Sequence, residues 1–128
     1  MPYPTVRTGK IVFERHKGGV NKESATIKFD NKIISAATFI QGVDVKFVEE
    51  DGRKKERPFH RLHYKIAKTE ISSSEGGGGW VPDKLSREVT VTAELGLRDA
   101  SLDWDDYYEG TIYVAVLALE HPTRDGYE

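Results

Sequence analysis

Aromatic and acidic residues alternate shortly before the last apolar segment of the chain. Three of them, Trp104, Tyr107 and Tyr108, are aromatic, and their neighbours are acidic: Asp103, Asp105, Asp106 and Glu109. An aromatic ring stacks against the C–H-rich face of a sugar, and adjacent carboxylates accept hydrogen bonds from its hydroxyl groups. The segment therefore indicates a carbohydrate-binding loop. A structural interpretation, in which Trp104 and one tyrosine close the end of the core, stays open, and residue types alone favour it.

The same acidic segment has a second interpretation, as a calcium loop. Asp99, Asp103 and Asp105 supply oxygen atoms at the spacing of an EF-hand. The pattern departs from that motif at two positions, because Trp104 stands where the loop needs glycine and Gly110 stands where it needs a bidentate glutamate. Calcium binding is therefore a weaker alternative to a solvated acidic loop.

Other residues that carry chemistry in proteins do not form a catalytic pattern here. His60 and His63 lie three residues apart, and on a strand this spacing points them to opposite faces, so they cannot chelate one metal ion. The glycines at 76–79 lack the lysine and hydroxyl group of a phosphate loop. The chain also contains no cysteine, which excludes thiol catalysis and thiolate–zinc sites. We predict a protein without enzyme activity and without a cofactor.

Length, composition and charge limit the classes of protein to which the chain can belong. The 128 residues are enough for one domain, and 38% hydrophobic content fills one core without disulfides. The net charge of -2 provides no field that attracts nucleic acid. No stretch approaches the ~18 consecutive apolar residues of a membrane helix. We therefore expect neither nucleic-acid binding nor membrane insertion, whereas the compartment is left open, with a secreted or particle-surface location compatible with the composition.

The elements that would position these residues are strands. Apolar residues alternate with polar ones with period two, which predicts strands at 10–14, 25–29, 43–47, 62–66 and 89–95. Two further segments, 33–40 and 111–119, are apolar on both faces. No window has the apolar spacing of a helix. The sequence therefore predicts an all-β fold: one antiparallel β-sandwich of six to seven strands, spanning residues 1–128.

Two features of this pattern predict how the strands are arranged. The Asp51-Gly52 dipeptide is typical of a β-hairpin, so the strands on either side of it are expected to pair. A small sandwich covers only one face of each sheet, so the second apolar face of 111–119 must be covered by something else. A loop, the N-terminal arm and another copy of the chain are the three candidates.

Six segments together carry a resemblance to a known family. They are Val-Arg-Thr-Gly-Lys-Ile at 6–11, the strand at 25–29, residues 37–45, Leu-His-Tyr-Lys-Ile at 62–66, Asp-Trp-Asp-Asp at 103–106 and the closing strand at 113–120. In this order they resemble the H-type lectin domain, a family of N-acetylgalactosamine-binding modules. Trp104 matches a sugar-contacting position of the family. Asp105 stands where the family has histidine, and Val116 replaces the tryptophan of its closing strand, so the sugar specificity does not carry over.

This resemblance implies a lectin that acts in cell adhesion and assembles as a homotrimer, with sugar sites at the seams between protomers. Self-association would also cover the second apolar face of 111–119. For the glycan or glycoconjugate we predict contacts from Trp104, Asp105 and Tyr107, with Arg57 or His60 added from the loop that enters the next strand. The competing hypothesis is a structural protein, such as a fibre, capsid or toxin-complex module, that uses the same sandwich for assembly and binds no sugar.

Overall fold

The structure, a computed structural model, describes residues 2–49, 59–71, 86–99 and 107–121, without the side chains of residues 59, 60, 98 and 99. These ranges contain six strands: β1 (Tyr3–Lys17), β2 (Val20–Lys28), β3 (Ile33–Phe47), β4 (Phe59–Ile71), β5 (Glu88–Asp99) and β6 (Tyr107–Glu120). They form two antiparallel sheets, sheet A in the order β1-β6-β3 and sheet B in the order β2-β5-β4. The predicted all-β sandwich is confirmed.

The central strand of each sheet supplies most of the core. Successive side chains of a strand point to opposite faces, so every second residue of β5 and β6 faces the other sheet. These inward residues are at most 3% exposed: Val89, Val91, Ala93, Leu95 and Leu97 in β5, and Tyr108, Ile112, Val114, Val116 and Ala118 in β6. The alternation that predicted the strands therefore also selects the residues that pack between the sheets.

The chain crosses from sheet A to sheet B at its first turn. Gly18 and Gly19 join β1 to β2 with positive φ angles of 63° and 71°, a region that residues with a Cβ rarely occupy. The turn brings β2 beneath β1, and the other edge strands, β3 and β4, face each other in the same way across the core. Consecutive strands therefore belong to different sheets at this position.

The hairpin predicted at Asp51-Gly52 is wrong, although residues 50–58 themselves lie outside the described residues. The strands that flank it belong to different sheets, because β3 pairs with β6 and β4 pairs with β5. The inner faces of β3 and β4 meet instead, where the Thr38 and Thr69 hydroxyl oxygens lie 2.8 Å apart. Each strand has to bury its inward face against the opposite sheet, and that requirement overrides the local turn signal.

The segments 33–40 and 43–47 form one strand rather than two. A shift in register between Ile40 and Gly42 separates them within β3, and the strand continues beside β6 on both sides of it. The break in the alternation of the sequence is therefore a β-bulge, which explains why the described residues contain six strands rather than seven.

A buried tyrosine fixes the end of the sandwich at which β6 begins. The Tyr108 hydroxyl lies 2.7 Å from the carbonyl oxygen of Gly19 and 2.9 Å from that of Leu95, and it accepts a hydrogen bond from the Asn21 amide. Burial raises the pKa of Tyr108 to about 12, so the hydroxyl stays protonated and keeps its donor. The β1–β2 turn, β5 and β6 are thereby tied together at one point.

Candidate functional site

Of the predicted ligand-binding residues, Tyr107 is the one whose side chain the structure describes. Trp104, Asp105 and Arg57 lie outside the described residues, as does the side chain of His60. The same holds for the calcium candidates Asp103 and Asp105 and for the side chain of Asp99. The geometry of the site is therefore built from Tyr107 and the strands around it.

Tyr107 is held at the first position of β6. Its carbonyl oxygen accepts a hydrogen bond of 3.0 Å from the Val48 amide, and it pairs with Lys17 at the end of β1. The guanidinium carbon of Arg15 lies 5.8 Å from the centre of its half-buried ring, within the range of a cation–π contact. The ring is thus positioned by the stiff part of the sheet, directly after the acidic segment 100–106.

Beyond Tyr107, the outer face of β6 is polar and ends in a second aromatic ring. Because Tyr108 and Ile112 point inward, Glu109, Thr111 and Tyr113 share the outer face with Tyr107. Asp44 pairs with Thr111 and Lys46 with Glu109 across the neighbouring strand β3. These side chains line a depression of about 80 Å³. We call Asp44, Lys46, Glu109 and Thr111 the polar trough; Tyr107 and Tyr113 mark its two ends.

The other half of the outer face of sheet A is apolar. We call this half the apolar patch; it consists of Pro4, Val6, Ala37, Phe39, Leu117 and Leu119. The strand register places them in adjacent rows, with Leu117 between Val6 and Ala37. Val6 is 60% exposed and Phe39 is 56% exposed. A groove of about 280 Å³, lined mainly by Pro4, Leu117, Leu119 and small residues of β3, runs through the patch.

The apolar patch bears on the question of what covers the second face of 111–119. The N-terminal arm does not cover it, because residues 3–17 form β1 and pair with the edge of β6 within the same sheet. In the single chain Leu117, which lies on this face within the patch, is 38% exposed. An exposed apolar area of this kind marks an interaction surface.

The outer face of sheet B differs, because its charged side chains pair with one another. His63 Nε2 lies 3.1 Å from Glu94 Oε1, and the Lys22 and Lys65 amines lie 3.7 and 3.9 Å from the same carboxylate. The hydrogen bond from His63 lowers the pKa of Glu94, and the two lysines act in the same direction, against an opposing effect of burial. The outer face of sheet B is therefore a polar surface whose acidic and basic side chains neutralise one another.

The charge network around Glu94 predicts a pH-dependent contribution to stability. The folded pKa of Glu94 lies below its ordinary value of 4.5, so the stabilisation is present above pH 4.5 and is lost as the pH falls through the folded pKa. We expect Glu94→Gln to be less stable than the wild type at pH 7 and the difference to shrink at pH 3, measured by urea denaturation. Glu70→Gln, which removes an exposed ion pair with Lys68, is the control with little effect. An equal Glu94→Gln difference at both pH values would contradict the assignment.

Two features are absent from the described ranges: a cluster of metal-ligand side chains and a membrane-spanning helix. No group of three or more histidine, aspartate or glutamate side chains there could hold a metal ion. Helices long and apolar enough to cross a membrane are absent from the same part of the chain.

Comparison with known proteins identifies no relative of the chain. No protein-family model matches the chain, and neither a curated protein nor a solved structure is significantly similar to it. Sequence reasoning singled out Tyr107 and Glu109 on this face but not Asp44, Lys46, Thr111 or Tyr113. The alternation in β6 could have pointed to Thr111 and Tyr113, whereas Asp44 and Lys46 join them only through the register between β3 and β6.

Proposed function

We propose that the chain is a non-catalytic carbohydrate-binding module that acts as a homotrimer. The observation that carries this proposal is the division of the outer face of sheet A into an apolar patch and an aromatic, polar end that contains Tyr107. The patch is suited to association with further copies of the chain, and the polar end is suited to sugar hydroxyls and C–H groups. The two surfaces have separate tasks and can be tested separately.

Self-association through one face accounts for the contrast between the sheets. Burying apolar surface contributes roughly 25 cal/mol per Å², and the patch offers three large exposed side chains, Val6, Phe39 and Leu117. The outer face of sheet B carries paired charges, which gain little from burial. Because each protomer has a single apolar face of this kind, association ends in a small closed assembly instead of growing into a filament. The H-type lectin resemblance implies that this assembly is a trimer.

Sugar binding is supported by where the strands leave the sandwich. Tyr107 begins β6 opposite the end of β1, while Asp99 ends β5 opposite Phe59, the first residue of β4. The segments that contain Trp104, Asp105, Arg57 and His60 therefore all join the sheets at one end. Trp104 precedes Tyr107 by three residues, and three residues of extended chain span at most about 10 Å. We propose that the Tyr107 ring, which Arg15 contacts, and the Trp104 ring both stack on the sugar.

A glycan array tests this function. We expect the wild type to bind a defined set of glycans and Trp104→Ala to lose at least tenfold in apparent affinity, because stacking on the indole ring is removed. Trp80→Ala is the matched control, since it removes the other tryptophan of the chain, and it should bind as the wild type does. Equal binding by Trp104→Ala and the wild type would contradict the predicted site.

A structural assembly protein is the second candidate, and the apolar patch favours it equally. An assembly protein would use the apolar patch for self-association and would not use the aromatic, polar end that contains Tyr107. A stable oligomer that binds nothing on a broad array of neutral and charged glycans would support it and would refute the lectin proposal.

A further inference from the structure

We infer that the polar trough binds a neutral oligosaccharide chain that lies along the outer face of β6, from Tyr107 to Tyr113. This inference rests on the proposed function and deepens it, because it names the shape and charge of the ligand and a second set of contact residues. The site predicted from sequence consists of the loop at the end of the sandwich. The trough extends the site from that loop onto the sheet.

The length of the trough points to a chain rather than a single sugar. Tyr107, Glu109, Thr111 and Tyr113 occupy alternate positions on one strand, and each step of two residues spans about 7 Å. The two rings are therefore roughly 20 Å apart along β6. The depression of about 80 Å³ lies between them. One sugar ring cannot contact both tyrosines, whereas a chain of several sugars can stack on both and cross the depression.

The unpaired charges of the trough distinguish it from an ordinary polar surface. Lys46 and Glu109 are direct cross-strand partners, yet none of the ion pairs found among the described residues involves Asp44, Lys46 or Glu109. On sheet B, by contrast, Glu94 is compensated by three neighbouring side chains. The carboxylates of the trough are thus free to accept hydrogen bonds from hydroxyl groups, and Lys46 is free to donate to sugar oxygens.

The position of the carboxylates indicates a neutral ligand. The two carboxylates of Asp44 and Glu109 lie beside Lys46, and Lys10 pairs with Tyr113 at the far end of the trough. Arg15 adds a basic group against Tyr107 at the near end, so basic groups lie at both ends of the trough, whereas the two carboxylates line the depression that a bound chain has to cross. A sulfated or uronic-acid chain would therefore meet two carboxylates of its own sign. Hydroxyl groups, which both donate and accept, satisfy carboxylates and amines together.

The test is a comparison of chain lengths. The probes are immobilised neutral oligosaccharides of one to six sugar units, with heparin as the polyanionic probe. We expect the wild type to bind chains that span the trough at least tenfold more tightly than single sugars of the same type. Tyr113→Ala and Asp44→Asn should lose this gain and keep the binding of single sugars. Tyr64→Ala is the matched control, because Tyr64 is similarly exposed, at 45%, and lies on β4 of sheet B.

The outcomes separate this inference from the function on which it rests. Each variant is first compared with the wild type in assembly mass and circular dichroism. If long chains bind both trough variants as well as the wild type, while Trp104→Ala abolishes binding, the trough inference is wrong and the lectin proposal stands. Stronger binding of heparin than of every neutral chain would refute the neutral ligand. If the wild type binds no glycan at all, the proposed function fails and the trough inference fails with it.

Discussion

A lysine in place of Leu117 is expected to convert the proposed trimer into monomers at micromolar concentration. Leu117 lies at the centre of the apolar patch, between Val6 and Ala37, and is 38% exposed in the single chain. In an assembly that buries the patch, each protomer would place an unpaired ammonium group in an apolar contact, which costs several kcal/mol per charge. Sedimentation equilibrium should show the mass fall from three times 14.4 kDa to 14.4 kDa.

Ser24→Lys provides the control for this experiment. Ser24 is exposed on β2, and its hydroxyl contacts Thr92 on the outer face of sheet B. The added lysine therefore meets a polar surface that does not take part in the proposed assembly, and the mass should stay that of the trimer. Two results would contradict the assembly proposal: a wild type that sediments as a monomer, or a Leu117→Lys variant that remains trimeric.

Replacing Gly110 with alanine is expected to lower the free energy of unfolding by about 3 kcal/mol, the upper part of the range for overpacked sites. Gly110 lies on β6 between Phe13 and Val45. A Cβ atom there would lie 2.5 Å from the carbonyl oxygen of Asp44, 3.0 Å from Leu95 Cδ2 and 3.1 Å from the Cα of Val45. Two of these contacts are with backbone, so relief requires β3 to move away from β6. Urea denaturation at matched protein concentration measures the loss.

Gly42→Ala is the matched control, because it makes the same substitution on the neighbouring strand. The nearest atom to its added Cβ is Tyr113 Cδ2 at 4.0 Å, an ordinary contact. We expect stability to be unchanged or to rise by up to about 1 kcal/mol, since alanine restricts the unfolded chain more than glycine does. Equal losses in the two variants would show that the close contact at Gly110 does not govern the effect.

Part of each strand and its buried face could be predicted from the sequence, but the full length of β1 and the continuity of β3 could not. In β5, Val89, Val91 and Leu95 alternate with threonine and glutamate, and all three are buried. The face of a strand residue depends on the pleat, which repeats every two residues whatever the strand pairs with. For the same reason the sequence predicted an excess of apolar residues on the outer face of 111–119. It also predicted that another surface must cover this face.

The pairing of the strands could not be predicted, and neither could the polar trough. The Asp-Gly signal at 51–52 indicated a pair of β3 and β4, but these strands face each other across the core. Asp44 and Glu109 are far apart in sequence and become neighbours because β6 takes the centre of sheet A. Which strands pair, and in what register, depends on burying all the inward faces at once. That is a property of the whole chain, so the tertiary structure decided it, whereas the sequence by itself determined the strands and their faces.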